Sequence, residues 1–422
     1  MKSNVIKTSI VYLLALVGIM FTISSCGGNV NTNKDPNFDD EGKLIQKPEF
    51  FSVEKPSQVK FFVEVSSNTN GFYRTTSPTK LKSDVYNVMS KLVPLESEVT
   101  VLTSDRGTFV NGGTTVAKFK DMMDSGICLN DFTLVTPILL NVMINDIQDG
   151  STAVLISNMI FSPVGNESRF AFLGEYCNNI ARILGDSHMA VSLIAAKSEF
   201  KGPGGDIIVQ ESPYYYLVIG KDKNVAFVRN AISSLLEANG SFIDNIETGF
   251  DYKLPSYSFG PCTNVQQLEG QPTFTSYNDS ESGKCTVKLK VDLENYRWLL
   301  SDKNMFSKCF KAKTNYGSDL NVGDIKIDVE DFDLKELKRK ATATVDLQVS
   351  NMTSESEVIE WYLDLESLDT DLTLLQPFLG ATSENDRSKS YSMDSFIRGM
   401  FEGIGKNKVS DKKNYILISK KS

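Results

Sequence analysis

The stretch KFFVEVSSNTNGFY, residues 60–73, decides the fold that the sequence predicts. Its FFV run, residues 61–63, is aromatic and β-branched, and a continuous apolar run of this kind indicates a strand covered on both faces by helices. Glu64, Ser66 and Asn68 place oxygen-bearing side chains at the end of that strand. Because open α/β sheets bind ligands outside the carboxyl ends of their strands, we expect a ligand crevice at this loop.

Helical and strand patterns alternate from this stretch up to residue 240. The predicted helices contain residues 81–92, 136–143, 173–184 and 224–237, and the predicted strands contain residues 99–102, 152–157, 189–196 and 214–219. Strands separated by helical patterns favour a parallel arrangement, because a crossover helix returns the chain to the same end of the sheet. We therefore predict an α/β domain over residues 58–240, with a doubly wound, mostly parallel, Rossmann-like sheet.

The pattern changes beyond residue 240. Four segments alternate apolar with polar or charged side chains, which is the period of strands buried on one face: residues 284–293, 324–332, 340–350 and 357–365. A late helix is predicted around residues 396–404 and a closing strand over residues 414–419. Residues 241–422 are therefore expected to form a β-rich, sandwich-like C-terminal domain.

The amino terminus has the features of a lipoprotein signal peptide. Lys2 and Lys7 precede an apolar run over residues 10–23, which is short for a membrane span. The tetrapeptide ISSC that ends at Cys26 looks like a bacterial lipobox, in which the cysteine is acylated after cleavage. We expect residues 1–25 to be removed and Cys26 to carry acyl chains such as palmitate, which anchor the protein to a membrane. The alternative is an ordinary secretory signal with an incidental cysteine.

Residues 26–57 are expected to be a flexible tether. They are dominated by Asn, Asp, Gly, Lys and Pro and have few apolar side chains to bury. A coil of about 30 residues has an end-to-end reach of roughly 30 Å, which would hold the α/β domain off the lipid headgroups. The expected location is the cell envelope, at the outer membrane of a Gram-negative-type bacterium.

Composition narrows the choice of partners. The formal net charge of the 422-residue chain is −9, which argues against nucleic acid or an anionic membrane surface as the main partner. The chain has six cysteines, so an odd number is left after Cys26 and they cannot all pair with each other. The sequence leaves open one disulfide among Cys262, Cys285 and Cys309.

The sequence offers little for acid–base or nucleophilic catalysis. His188 is the only histidine, and a lone histidine at a strand end is usually a structural or surface residue. No G-x-S-x-G elbow surrounds the serines of the first loop. Paired acids such as Asp121 and Asp124 lie in loop-like polar stretches, where solvated carboxylates are the ordinary case. We therefore predict a protein without enzymatic activity.

Two further motifs have ordinary structural interpretations. KGPGG, residues 201–205, lacks the strand-then-helix context of a phosphate-binding loop and is predicted to be a surface turn. Tyr214, Tyr215 and Tyr216 lie on a predicted strand, where successive side chains face opposite ways. At most two of them share a surface, so a division between core and edge is expected rather than a carbohydrate-binding platform.

Three loops are expected to converge at the crevice. The first offers Glu64, Ser66 and Asn68, the second offers Thr133 ahead of a predicted helix start, and the third offers Asn158 after the strand TAVLIS. This order of loops resembles the von Willebrand factor A-type (vWA) domain. Its metal-ion-dependent adhesion site has Asp-x-Ser-x-Ser in the first loop, Thr in the second and Asp after a later strand. The resemblance covers residues 58–240.

The resemblance implies a site for Mg²⁺ or another divalent cation, formed by Glu64, Ser66, Asn68, Thr133 and Asn158. The chain departs from the family at three positions, where Glu64, Asn68 and Asn158 replace Asp, Ser and Asp. The extra methylene of Glu64 displaces its carboxylate, and the amide of Asn158 lowers the negative charge that offsets dehydration of a cation. The sequence thus indicates a degenerate metal site. The alternative is that the loop oxygens pair with each other and cap helices.

The expected function is protein–protein interaction or assembly at the membrane surface. The crevice and the strand edges of the β-rich domain are the candidate contact surfaces. This expectation follows from the likeness to the family, because no catalytic or binding site can be derived from the residues alone. A metal-dependent adhesin, whose cation accepts a carboxylate from a partner, is the first alternative. An envelope enzyme of unknown reaction is the second.

Overall fold

The computed structural model of the chain describes residues 35–105, 108–127, 136–147, 150–160, 169–277, 284–300, 304–331, 333, 339–364, 372–383, 385–409 and 413–420. The chain divides by compactness into two units, residues 1–46 and residues 47–422. Cys26, Thr133 and the apolar run at residues 10–23 lie outside the described residues. Within the first unit, a local turn is closed by a bridge between Phe38 and Leu44.

The elements of the second unit are as follows. The helices are Asn70–Tyr73 (α1), Lys80–Leu92 (α2), Val116–Ser125 (α3), Thr136–Asp146 (α4), Arg169–Ser187 (α5), Asp222–Ala238 (α6), Met305–Cys309 (α7) and Met393–Ile404 (α8), with short 3-10 helices at Arg297–Leu300 and Gln376–Phe378. The strands of the first half are Gln58–Glu64 (β1), Glu98–Asp105 (β2), Thr108–Thr115 (β3), Ser151–Ser157 (β4), Ala190–Lys201 (β5), Ile207–Gly220 (β6) and Phe242–Thr248 (β7). The remaining strands are Asp251–Tyr252 (β8), Tyr257–Phe259 (β9), Val265–Gln267 (β10), Thr273–Ser276 (β11), Cys285–Asp292 (β12), Phe310–Thr314 (β13), Asp319–Val322 (β14), Lys326–Val329 (β15), Ala341–Ser350 (β16), Ser356–Leu363 (β17), Lys408–Val409 (β18) and Asn414–Lys420 (β19).

A seven-stranded sheet, called sheet A here, has the strand order β3-β2-β1-β4-β6-β5-β7. β1 is parallel to β2 and to β4. The pairs β2–β3, β4–β6, β5–β6 and β5–β7 are antiparallel. The predicted α/β class is confirmed as a mixed α/β fold, but the prediction of a mostly parallel sheet is wrong.

The β5–β6 hairpin explains this error. The backbone N–H of Gly202 donates to the carbonyl oxygen of Asp206 at 2.8 Å, and Gly205 has a φ of 88°, so a tight turn joins the two strands. The surface turn predicted at residues 201–205 is thereby confirmed. Strands joined by so short a turn, with no crossover helix, must run antiparallel.

Helices cover both faces of sheet A. Phe61 and Val63 pack with side chains of α2 and α6 on one face, and Phe62 packs with α4, α5 and α8 on the other. The three consecutive tyrosines are all fully buried and divide in the same way: Tyr214 and Tyr216 belong to the first core, and Tyr215 belongs to the second. Their predicted alternation is confirmed, but none lies at an exposed edge.

Two five-stranded sheets follow sheet A in the chain. Sheet B has the order β10-β11-β19-β17-β13, and sheet C has the order β14-β16-β12-β9 with β15 also paired to β16. Alternate residues of β16 are buried, from Ala341 to Val349, and they share a core with Trp361 and Ile416 of sheet B. The alternating sequence pattern therefore located β12 and β16, each of which buries one face. In contrast, β17 is buried at five consecutive positions, residues 357–361.

The boundary predicted at residue 240 falls just before β7, which is the edge strand of sheet A. Helix α8, near the end of the chain, packs against α5 of the first half. A Cβ atom added at Gly403 of α8 would lie 2.3 Å from the carbonyl oxygen of Ala181, so only glycine allows these helix backbones to approach so closely. The division into domains of residues 58–240 and 241–422 stays a prediction.

Residues 51–57, which were expected to belong to the tether, are part of the second unit and are held by its other residues. The Phe51 ring is buried 4.7 Å from the Tyr252 ring centroid. The backbone N–H of Phe51 donates to the carbonyl oxygen of Leu254 at 3.2 Å, and that of Ser57 donates to Gly150 at 2.7 Å. The chain thus enters the compact unit at Phe51, near the amino end of β1.

The three cysteines considered for a disulfide are free thiols. Cys285 lies within sheet C and Cys309 ends α7, where its Sγ donates to the carbonyl oxygen of Met305 at 3.1 Å. The thiol of Cys262 donates to the carbonyl oxygen of Gly260 at 3.3 Å. The disulfide left open by the sequence is therefore not formed. Among the described residues, no helix combines the length and the apolar character needed to cross a membrane.

Candidate functional site

The candidate site lies at the carboxyl ends of β1 and β4. These strands are parallel neighbours that end at Glu64 and Ser157, so residues 65–69 and residues 158–160 leave the sheet side by side. β1 has β2 on one side and β4 on the other, which makes this the point where the strand order reverses. We call residues 64–69 and 157–160 the crevice.

A local turn shapes the first loop of the crevice. Thr69 Oγ1 accepts the backbone N–H of Ser66 at 2.9 Å and donates to the carbonyl oxygen of the same residue at 3.1 Å. This side-chain turn leads directly into α1. Gly71 in α1 lies under Phe200 of β5, and a Cβ atom there would be 2.3 Å from the ring. The glycine therefore lets the β5–β6 hairpin close over the loop.

Glu64 is the only carboxylate among the described residues of the crevice, and it is 2% exposed. Ser66 Oγ donates to its Oε1 at 2.9 Å, and Ser157 Oγ donates to its Oε2. Burial raises the pKa of Glu64 to about 7, although the two hydroxyl donors work in the opposite direction. The side chain is therefore only partly ionised at neutral pH.

The two asparagines of the crevice tie its loops together. Asn158 Nδ2 donates to the carbonyl oxygen of Asn68 at 3.0 Å, and Asn158 Oδ1 accepts the backbone N–H of Ile160 at 3.3 Å. Both asparagines are buried. Ser157 Oγ also accepts the backbone N–H of Met159 at 2.7 Å. The loop oxygens thus pair with each other and with nearby backbone groups.

A cationic side chain from the C-terminal half reaches the same place. Arg387 Nη2 donates to Asn68 Oδ1 at 3.0 Å. The Arg387 guanidinium also lies 5.4 Å from the centroid of the Phe200 ring, within the range of a cation–π contact. An arginine is thus bound to one of the predicted metal ligands.

The side-chain oxygens described in the crevice do not fit the coordination of a divalent cation. The single carboxylate has a pKa of about 7, and both of its oxygens accept hydroxyl groups. Asn68 Oδ1 accepts from a guanidinium, whose charge repels a cation. No cluster of three or more His, Cys, Asp or Glu side chains able to hold a metal occurs in the described part of the chain.

The structure brings together four of the five predicted site residues, namely Glu64, Ser66, Asn68 and Asn158. Thr133 lies outside the described residues, so its part in the site stays a prediction. Sequence reasoning missed Ser157 and Arg387. Ser157 could have been found, because it is the last residue of the predicted strand before Asn158. Arg387 gave no signal, because it is separated from Asn68 by 319 residues.

The candidates for acid–base chemistry lie away from the crevice. His188 is exposed in a turn before β5 and has a φ of 52°. Asp124 forms an exposed ion pair with Lys120 at 2.5 Å on α3. Both residues are exposed as expected, but Asp124 lies on a helix and not in the loop-like stretch that was predicted.

A cavity of about 550 Å³ lies at the opposite end of sheet A, beside α4. Its lining includes Gln58 and Lys60 at the amino end of β1 and Glu98 at the start of β2. Lys60 Nζ forms an ion pair with Asp146 Oδ2 at 3.1 Å and donates to the carbonyl oxygen of Asp146 at 2.7 Å. No sequence pattern singled out this cavity.

Comparisons of the chain with protein-family models, with curated proteins and with solved structures find no match. The likeness to vWA domains therefore rests on the order and spacing of the crevice loops.

Proposed function

We propose that the chain is a lipid-anchored protein of the cell envelope that acts by binding other proteins, without catalysing a reaction. The binding is through its α/β half, residues 58–240, and not through its β-rich half, residues 241–422. The observation that carries the interaction is the β5–β6 hairpin. Its residues Ile207 and Ile208 are 49% and 56% exposed, and because successive strand residues face opposite ways, each face of the hairpin presents one large apolar side chain to a partner.

The position of this hairpin supports the proposal. β6 pairs with β4 from Tyr215 to Gly220, whereas residues 207–213 of β6 pair only with β5 among the described residues. Residues 207–213 of the hairpin therefore extend past the carboxyl ends of β1 and β4, next to the crevice. A strand with one unpaired edge can bind an extended segment of a partner.

We also propose that the α/β half is related to vWA domains and is anchored through Cys26. The parallel core β2-β1-β4, the helices on both faces and the convergence of Glu64, Ser66, Asn68 and Asn158 support the relationship. The lipobox-like tetrapeptide supports the anchor. The chain enters the compact unit near the amino end of β1, and the hairpin extends beyond the opposite end of that strand's sheet.

Metabolic labelling with a clickable palmitate analogue tests the anchor. The full chain is expected to incorporate label and to sediment with membranes, and Cys26→Ser is expected to lose both. Cys262→Ser is the matched control, because this half-buried thiol lies in the β-rich half. Label that persists in Cys26→Ser would remove the anchor from the proposal.

Photo-crosslinking in intact cells tests the interaction. Benzoyl-phenylalanine at position 208 is expected to give discrete crosslinked products of larger mass. The same probe at Tyr277, which is 51% exposed in the β-rich half, is the control and is expected to give none. Equal crosslinking at both positions, or none at position 208, would contradict a contact surface at the hairpin.

A further inference from the structure

The segment at residues 385–392, called the strap here, crosses from the 3-10 helix at Gln376–Phe378 to α8. The carboxyl-terminal part of the strap, around Ser390, is held on the α/β half. The backbone N–H of Ser390 donates to the carbonyl oxygen of Phe378 at 2.7 Å, and Ser390 Oγ shares a hydrogen bond of 2.5 Å with the hydroxyl group of Tyr215. Ser390 is 1% exposed. The strap is therefore fixed to sheet A just beyond Arg387.

A turn inside the strap orients Arg387. Asp386 Oδ1 accepts both the backbone N–H of Ser388, at 3.0 Å, and its hydroxyl group, at 2.6 Å. The carbonyl oxygen of Arg387 accepts the hydroxyl group of Ser212 on β6 at 2.6 Å. These contacts set the backbone of Arg387 beside the hairpin, and from there its side chain reaches into the crevice.

The guanidinium of Arg387 links three parts of the fold. It donates to Asn68 Oδ1 in the first loop and lies over Phe200 of β5. The carbonyl oxygen of Asn68 in turn accepts from Asn158 in the third loop. A chain of contacts thus runs from the strap through both crevice loops, and hydrogen bonds that involve a charged donor are among the stronger ones.

We propose that the strap is an intramolecular latch that closes the crevice, and that Arg387 supplies from within the chain the positive charge that a divalent cation would otherwise bring. The guanidinium is bonded to an oxygen that the resemblance assigns to the cation. This inference goes beyond the proposed function and depends neither on the lipid anchor nor on any partner.

Amide hydrogen exchange of the full-length chain in detergent, read by mass spectrometry, tests the latch. Removal of a hydrogen bond from a charged donor is expected to speed exchange about tenfold or more in Arg387→Gln. The effect should appear in peptides that span residues 64–72 and residues 385–392, and not in α6. Arg387→Ala should show the same pattern with at least the same amplitude.

Arg398→Ala is the matched control, because Arg398 lies on α8 with a side chain that is 58% exposed. It should leave exchange at residues 64–72 unchanged. Unchanged exchange at residues 64–72 in Arg387→Gln would overturn the latch. Exchange that accelerates throughout the chain, α6 included, would also overturn it, because Arg387 would then support the whole fold rather than close one site.

Discussion

Two buried glutamates of this molecule are held in contrasting ways. Glu64 in the crevice accepts from the hydroxyl groups of Ser66 and Ser157, and its pKa is raised to about 7. Glu247 on β7 forms an ion pair of 2.5 Å with Arg229, and the side chains are 0% and 2% exposed for Arg229 and Glu247. Both side chains are buried, so the two regions differ in the kind of donor, which is a pair of hydroxyl groups for Glu64 and a guanidinium for Glu247.

The region around Glu247 is a junction between the two halves of the chain. Arg229 Nη2 donates to the carbonyl oxygen of Asn295 at 3.0 Å, and the hydroxyl group of Tyr252 donates to Glu247 Oε1. Burial lowers the pKa of Arg229, but the attraction of Glu247 and of the Tyr252 hydroxyl group together outweighs burial and raises that pKa. The junction thus pairs its carboxyl group with a guanidinium, whereas the crevice holds a carboxyl group whose pKa is raised to about 7.

The largest expected effect comes from breaking the junction. Arg229→Ala leaves the Glu247 carboxylate buried without its guanidinium, and it should lower the free energy of unfolding by about 3–5 kcal/mol in urea titrations at pH 7. The double variant Arg229→Met/Glu247→Leu should recover most of this loss, because apolar residues of similar size leave no buried charge. A loss below about 1 kcal/mol for Arg229→Ala would remove the contrast with the crevice.

The second effect is a pH dependence that belongs to the crevice. The pKa of Glu64 is about 7 in the folded chain and near 4.5 in the unfolded chain. Between these two pH values, Glu64 binds more protons in the folded state than in the unfolded state. Its contribution to the free energy of unfolding therefore falls as pH rises, by up to about 3 kcal/mol in total. Above pH 7 this contribution stays level.

Urea titrations from pH 4 to pH 8 measure this dependence. Glu64→Gln should flatten the curve over the window from about pH 4.5 to 7, because glutamine does not titrate. Glu237→Gln is the control for a glutamate that is not fully buried. The raised pKa of Glu64 would be contradicted if the wild-type free energy of unfolding rose with pH through the same window and Glu64→Gln removed that rise.

The smallest effect sharpens the comparison within the crevice. Ser157→Ala removes a donor to Glu64 and the acceptor of the Met159 N–H, so it should cost about 1 kcal/mol and raise the pKa of Glu64 further. Carbon-detected NMR titration of the Glu64 carboxyl group would measure the pKa. Ser187→Ala, which removes a hydroxyl that donates to Leu184 on α5, should leave that pKa unchanged. An unchanged pKa of Glu64 in Ser157→Ala would show that the Ser157 hydroxyl group does not stabilise the ionised form of Glu64.

Much of the fold follows from sequence patterns. The apolar runs of β1 and β4 and the helical spacing of α2 and α6 were predicted within a few residues of their observed bounds. Strand direction was predicted wrongly for β5 and β6, because their buried runs show only that both faces are covered by helices. The pairing of β7 with β5 was missed for a related reason, since sheet order depends on contacts between distant segments.

The candidate site was predicted in part. Parallel strands place their carboxyl ends together, so the meeting of Glu64, Ser66, Asn68 and Asn158 followed from the predicted order of β1 and β4. Arg387 could not be predicted, because its place depends on how the strap folds back over sheet A. Arg387 changes the electrostatics of the site, because its guanidinium contacts Asn68, which was predicted to be a metal ligand.

The central claim is that the crevice is closed by its own side chains and not by a metal. Isothermal titration of the full-length chain with Mg²⁺ and Mn²⁺ tests it most directly. We expect no saturable heat that depends on Glu64 or Asn68. Saturable binding in the micromolar range that is lost in Glu64→Ala and in Asn68→Ala would contradict the claim and would favour a metal-dependent adhesion site.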